Sequence, residues 1–60
     1  MEYEDYRKYR IFLERRDGGW QAMIRPPSSE KLIPGPFNSD PTSRKAILAE
    51  ARSWIDRGAV

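Results

Sequence analysis

The chain contains no cysteine and no histidine. Without thiols, neither disulfides nor a thiolate metal site can reinforce it, and no cysteine nucleophile exists. Without imidazole it lacks the side chain most used for acid–base work near neutral pH and the commonest metal ligand. We therefore expect a non-enzymatic protein with no cofactor and no metal. No apolar run approaches the length of a membrane span or a signal-peptide core, so the expectation is a cytoplasmic protein with no membrane partner. At 60 residues the chain makes one small domain, near the lower size at which burial alone holds a fold together.

Charge is present in quantity but with little net sign: 11 basic and 9 acidic residues leave +2. Glu2, Glu4 and Asp5 lie within the first six residues, and setting them aside leaves 11 basic against six acidic residues. Such an excess can attract a polyanion through its long-range field, although it serves equally as a solvated surface. Residues 1–8, acidic and tyrosine-rich, read as a mobile or loosely docked tail. Residues 9–60 then form a single β-β-β-α domain.

The pattern from Tyr9 is that of strands. Tyr9-Arg-Ile-Phe-Leu-Glu-Arg-Arg16 and Trp20-Gln-Ala-Met-Ile-Arg25 flank Asp17-Gly18-Gly19, a strong hairpin signal. Pro26-Pro27 closes the second strand, because proline donates nothing to a ladder. Ser28 to Ile33 can supply a short third strand, ended by Pro34-Gly35-Pro36. The last third changes period. Ser39 or Asp40 can cap, Pro41 suits a first helical turn, and Gly58 is a natural stop, giving a helix from about Pro41 to Arg57. Ile47, Leu48, Ala51, Trp54 and Ile55 make its apolar stripe. The fold class is α+β: an antiparallel sheet of two or three strands, covered on one face by a single C-terminal helix.

A two-residue loop at Asp17-Gly18 fixes the register. Arg15 then faces Trp20, Leu13 faces Ala22 and Ile11 faces Ile24, the face expected beneath the helix with Tyr9 beside it. The opposite face pairs Phe12 with Met23, Arg10 with Arg25 and Glu14 with Gln21. No helix remains to cover it, so it is the candidate binding surface: Arg10, Arg16, Arg25 and Lys31 supplying charge, Phe12, Gln21 and Met23 supplying contact. Arginines with apolar residues suit a nucleic-acid platform, and DNA binding through this face is the leading expectation; a protein-interaction module, antitoxin-like or inhibitor-like, or a homo-oligomer is the alternative. An ordinary exposed sheet face accounts for the same residues. Ser39, Asp40, Thr42 and Ser43 read as capping residues, and Glu50, Asp56, Glu14 and Glu30 as solvated carboxylates.

Three resemblances accompany this pattern. Gly19, Trp20, Gln21, Ala22, Ile24, Phe37, Ala46, Ala51 and Trp54 resemble the arm-type DNA-binding domain of tyrosine-family phage integrases. That likeness implies a sheet laid into the DNA major groove, with contacts from Arg10, Arg25 and Gln21. The third strand offers only Lys31 where that family is basic. Asp17, Gly18, Gly19, Trp20, Pro34, Gly35, Thr42, Ala46 and Ile47 resemble the N-terminal part of HicB-type antitoxins, which implies a small ribonuclease toxin as partner. Gly18-Gly19-Trp20 with Ala46-Ile47 and Ala51-Arg52 is similar to short bacterial proteins for which the likeness implies a fold and no function.

Overall fold

The computed structural model describes residues 2–60. Four strands form one antiparallel meander: β1 (Glu2–Tyr6), β2 (Tyr9–Arg16), β3 (Gly19–Arg25) and β4 (Ile33–Asn38), in the order β1-β2-β3-β4. A single helix, α1 (Arg44–Asp56), covers one face. The chain is thus α+β in two layers, with four strands in place of the two or three expected.

The β2–β3 hairpin has the anticipated register, from Arg10 opposite Arg25 to Arg16 opposite Gly19. Asp17 and Gly18 both have positive φ, as a type I′ loop requires. Ile11, Leu13, Ala22 and Ile24 consequently point to one side, where Ile47, Leu48, Ala51 and Ile55 of α1 meet them in the core. Tyr6, Tyr9, Trp20, Trp54 and Val60 close its margins. The Trp20 indole donates to the Pro41 carbonyl at 3.1 Å, and the Arg15 guanidinium lies 5.3 Å from its ring centroid.

Three expectations need correction. The N-terminal segment is β1, paired with β2 from Glu2 opposite Leu13 to Tyr6 opposite Tyr9, where a mobile tail was expected. Arg7 and Lys8 form its two-residue turn, both at positive φ. The last strand begins at Ile33 and runs through Pro34-Gly35-Pro36, the segment expected to end it. It is an edge strand, where missing N–H groups are tolerated, and a bulge opposite Gln21 to Met23 absorbs the irregularity. Third, α1 starts at Arg44. Asp40 caps a preceding turn, accepting from the Thr42 backbone N–H at 2.9 Å and from its hydroxyl at 2.8 Å. The helical ladder begins only with Ile47 N–H donating to Ser43 O. At the other end Gly58 N–H donates to Ile55 O and Ala59 N–H to Trp54 O, a Schellman closure with Gly58 at positive φ.

Candidate binding surface

The face away from α1 is organised in rows, because cross-strand partners share a side of the sheet. One row runs Tyr3, Phe12, Met23, Pro34 across all four strands. Toward the β1–β2 turn lies a charged row of Asp5, Arg10 and Arg25. On the other side lie Glu14, Gln21 and Phe37. Tyr3 is 55% exposed and Phe37 45%, so both offer aromatic surface to solvent. Tyr3 leans on Phe12, with ring centroids 5.9 Å apart and planes tilted by 49°. Tyr3, Pro34 and Phe37 were not anticipated as part of this surface. Only a strand assignment for residues 2–6 and 33–38 brings them in, and neither segment alternates clearly.

Each anticipated residue has a definite place. Phe12 and Met23 are adjacent at the centre of the face and half-buried. Arg10 and Arg25 are opposite one another, but the carboxylate that relieves their repulsion belongs to the chain itself. Arg10 Nε donates to Asp5 Oδ1 at 2.8 Å, and its guanidinium sits 4.3 Å from the Tyr3 centroid. That hydrogen bond, with the attraction of Arg10 and Arg25, holds the Asp5 carboxyl below its ordinary pKa against a smaller opposing effect of desolvation. Arg16 pairs with Glu14 at 3.3 Å. Arg25 takes part in none of the ion pairs among the described residues.

Two of the anticipated residues are placed otherwise than the register alone suggests. The Gln21 side-chain amide donates to Ala22 O at 2.9 Å and Gly35 O at 3.0 Å, so it serves the β3–β4 bulge. Lys31 lies in the loop between β3 and β4, outside the sheet, where its backbone N–H donates to Ser29 Oγ at 3.1 Å.

The remaining acidic residues of β1 turn to the helix side. Glu2 pairs with Arg44, whose Nε donates to it at 2.7 Å, and Glu4 pairs with Arg52. The Tyr6 hydroxyl donates to Asp56 at 2.9 Å, and Arg7 reaches the same carboxylate at 3.3 Å. Among the described residues no three acidic side chains come together as a metal site, and no helix is long and apolar enough to cross a membrane. No known protein family, characterised protein or solved structure matches the chain.

Proposed function

We propose that the domain is a non-catalytic protein-interaction module that docks a partner protein on its open sheet face, with Phe12 and Met23 as the central anchors. The observation that carries this reading is the unbroken apolar row from Tyr3 to Pro34, on a face where Arg10 and Arg16 are already matched by carboxylates. Aromatic residues, methionine and arginine around a desolvated centre are the composition of protein interfaces. The likeness to HicB-type antitoxins points the same way, toward a partner enzyme masked by binding. A bound partner would also stabilise a domain this small by mass action.

Charge and width both favour this over insertion into duplex DNA. Of the three arginines on the face, Arg10 and Arg16 are paired with carboxylates, and Arg25 takes part in none of the ion pairs among the described residues. Four strands roughly 4.8 Å apart span about 14 Å between outer backbones, against a major groove about 12 Å wide. A nucleic-acid role keeps one specific support, Arg25, outside the ion pairs among the described residues and on the same face as the exposed Tyr3 and Phe37 rings, on which unstacked bases can lie.

Affinity capture with the purified domain separates the two. A protein retained by the wild type and by Arg25→Ala, and lost at least tenfold with Phe12→Ala, is the expected result for a desolvated anchor contributing about 2 kcal/mol. Phe12→Ala with no effect on any retained protein would sink the docking reading. Titration of the ¹⁵N-labelled domain with short single-stranded and duplex DNA at two salt concentrations tests the other. Salt-sensitive shifts on the open face would establish a nucleic-acid surface, since phosphate contacts release counterions.

A further inference from the structure

Next to the open face, where the β1–β2 turn meets the loop after β3, lies a cleft of about 590 Å³. Three basic side chains line it, Lys8, Arg10 and Arg25, together with Ser28 and Ser29 and the acidic Asp5 and Glu30. Pro26 and Pro27 form one wall, and a turn fixed by Ser29 N–H donating to Pro26 O at 3.3 Å holds that wall in shape. Asp5 is engaged by Arg10. Lys8 and Arg25 take part in none of the ion pairs among the described residues.

A second observation concerns the backbone. Lys8 has φ of 69°, a left-handed conformation that disfavours side chains and is readily supplied by glycine or asparagine. Its neighbour Arg7, in the same conformation, returns an ion pair with Asp56. Among the described residues Lys8 returns no ion pair to the fold. A lysine held in an unfavourable conformation and lining the cleft fits a ligand contact.

We infer that this cleft binds a dianionic phosphoryl group, clamped between the Lys8 ammonium and the Arg25 guanidinium, with the Ser28 hydroxyl as a further donor. A dianion suits two separate cations, the arginine by fork geometry and the lysine as a point charge. Asp5 limits the affinity by occupying Arg10. The ligand class is a phosphate monoester, either free as a small molecule or at the end of a larger one.

The test is titration of the ¹⁵N-labelled full chain with inorganic phosphate near neutral pH, against sodium chloride at matched ionic strength. Saturable shifts at Lys8, Arg25 and Ser28, absent with chloride, are expected. Arg25→Gln should weaken binding about tenfold, the loss of one charge-assisted hydrogen bond. Lys8→Gln should weaken it similarly and serves if the first variant does not fold. Asp5→Asn should tighten it about fivefold by releasing Arg10. No saturable shift, or equal movement at the remote Lys45 and Arg57, overturns the proposal. Glycerol phosphate and an oligonucleotide with and without a 5′-phosphate distinguish the sources. Equal binding of the oligonucleotide lacking it would assign the cleft to phosphodiesters and likewise overturn the proposal. No protein partner is present in these experiments, so their outcome is independent of the docking reading.

Discussion

Two adjacent glycines after Asp17 do different work. Gly18 supplies positive φ in the loop, whereas Gly19 is needed for space: a Cβ there would lie 1.9 Å from the Asn38 carbonyl oxygen and 2.5 Å from the Ser39 Cα. Both obstacles are backbone, so neither can swing aside, and β4 would have to part from β3. Gly19→Ala should therefore destabilise by about 3 kcal/mol, a loss at the upper end for a single substitution and a large share of the stability of so small a domain. Chemical denaturation would measure it. A loss below about 0.5 kcal/mol would mean that β4 does not run against Gly19 as described. The hairpin and its loop residues are legible from Asp17-Gly18-Gly19 alone. The reason for the second glycine is not, because the atoms that crowd it are some 20 residues further along the chain.

The strands show how far residue patterns carry at the scale of elements. β2 and β3 alternate buried and open residues, and turn chemistry sets their register, so both were legible. β1 was not: Glu-Tyr-Glu-Asp-Tyr has no apolar alternation, and none of its residues is fully buried. It is held by the ladder to β2 and by side chains reaching α1, interactions that hydropathy does not report. Its turn is also unmarked, since Arg7-Lys8 takes the conformation that asparagine and glycine favour. Replacing Arg7-Lys8 by Asn-Gly should raise stability by about 1 kcal/mol, the left-handed strain exceeding the weak exposed Arg7–Asp56 pair. A lower Tm in that variant would argue against the type I′ turn and with it against β1. Both sheet edges are guarded, β1 by acidic residues and β4 by prolines without donors. Pairing of a further strand onto either edge is thereby disfavoured.

At the scale of the whole molecule, ion pairs and charge-assisted hydrogen bonds fasten elements that burial leaves loose, and they make stability depend on pH at both ends. Asp40 is held below its ordinary pKa by the Thr42 backbone and hydroxyl donors, and Asp5 by Arg10. A carboxylate so depressed contributes stability that is complete above its unfolded value, about pH 4, and is lost as pH falls through the lower folded value. Tyr6 acts in the opposite direction. Its hydroxyl donates to Asp56, which raises its pKa, so its contribution is complete below about pH 10 and is lost as pH rises through the raised value. Thermal unfolding followed against pH should show a plateau with a fall on each flank. Asp5→Asn should flatten the acid limb only, and Tyr6→Phe the alkaline limb only. An acid limb unchanged in Asp5→Asn/Asp40→Asn would remove these two carboxylates from the account.

Local pattern in the sequence determined the central hairpin, its register, the apolar stripe of the helix, and thereby which residues of β2 and β3 face the core. Periodicity and turn chemistry act between near neighbours, and there the residue types suffice. Tertiary structure alone decided that the acidic N-terminal segment is a strand, that Asp5 neutralises Arg10, that Gln21 is spent on the bulge, and that Lys31 lies off the sheet. Those outcomes depend on which distant segments lie side by side. A carboxylate five positions away in sequence becomes a cross-strand partner only once the turn between them closes.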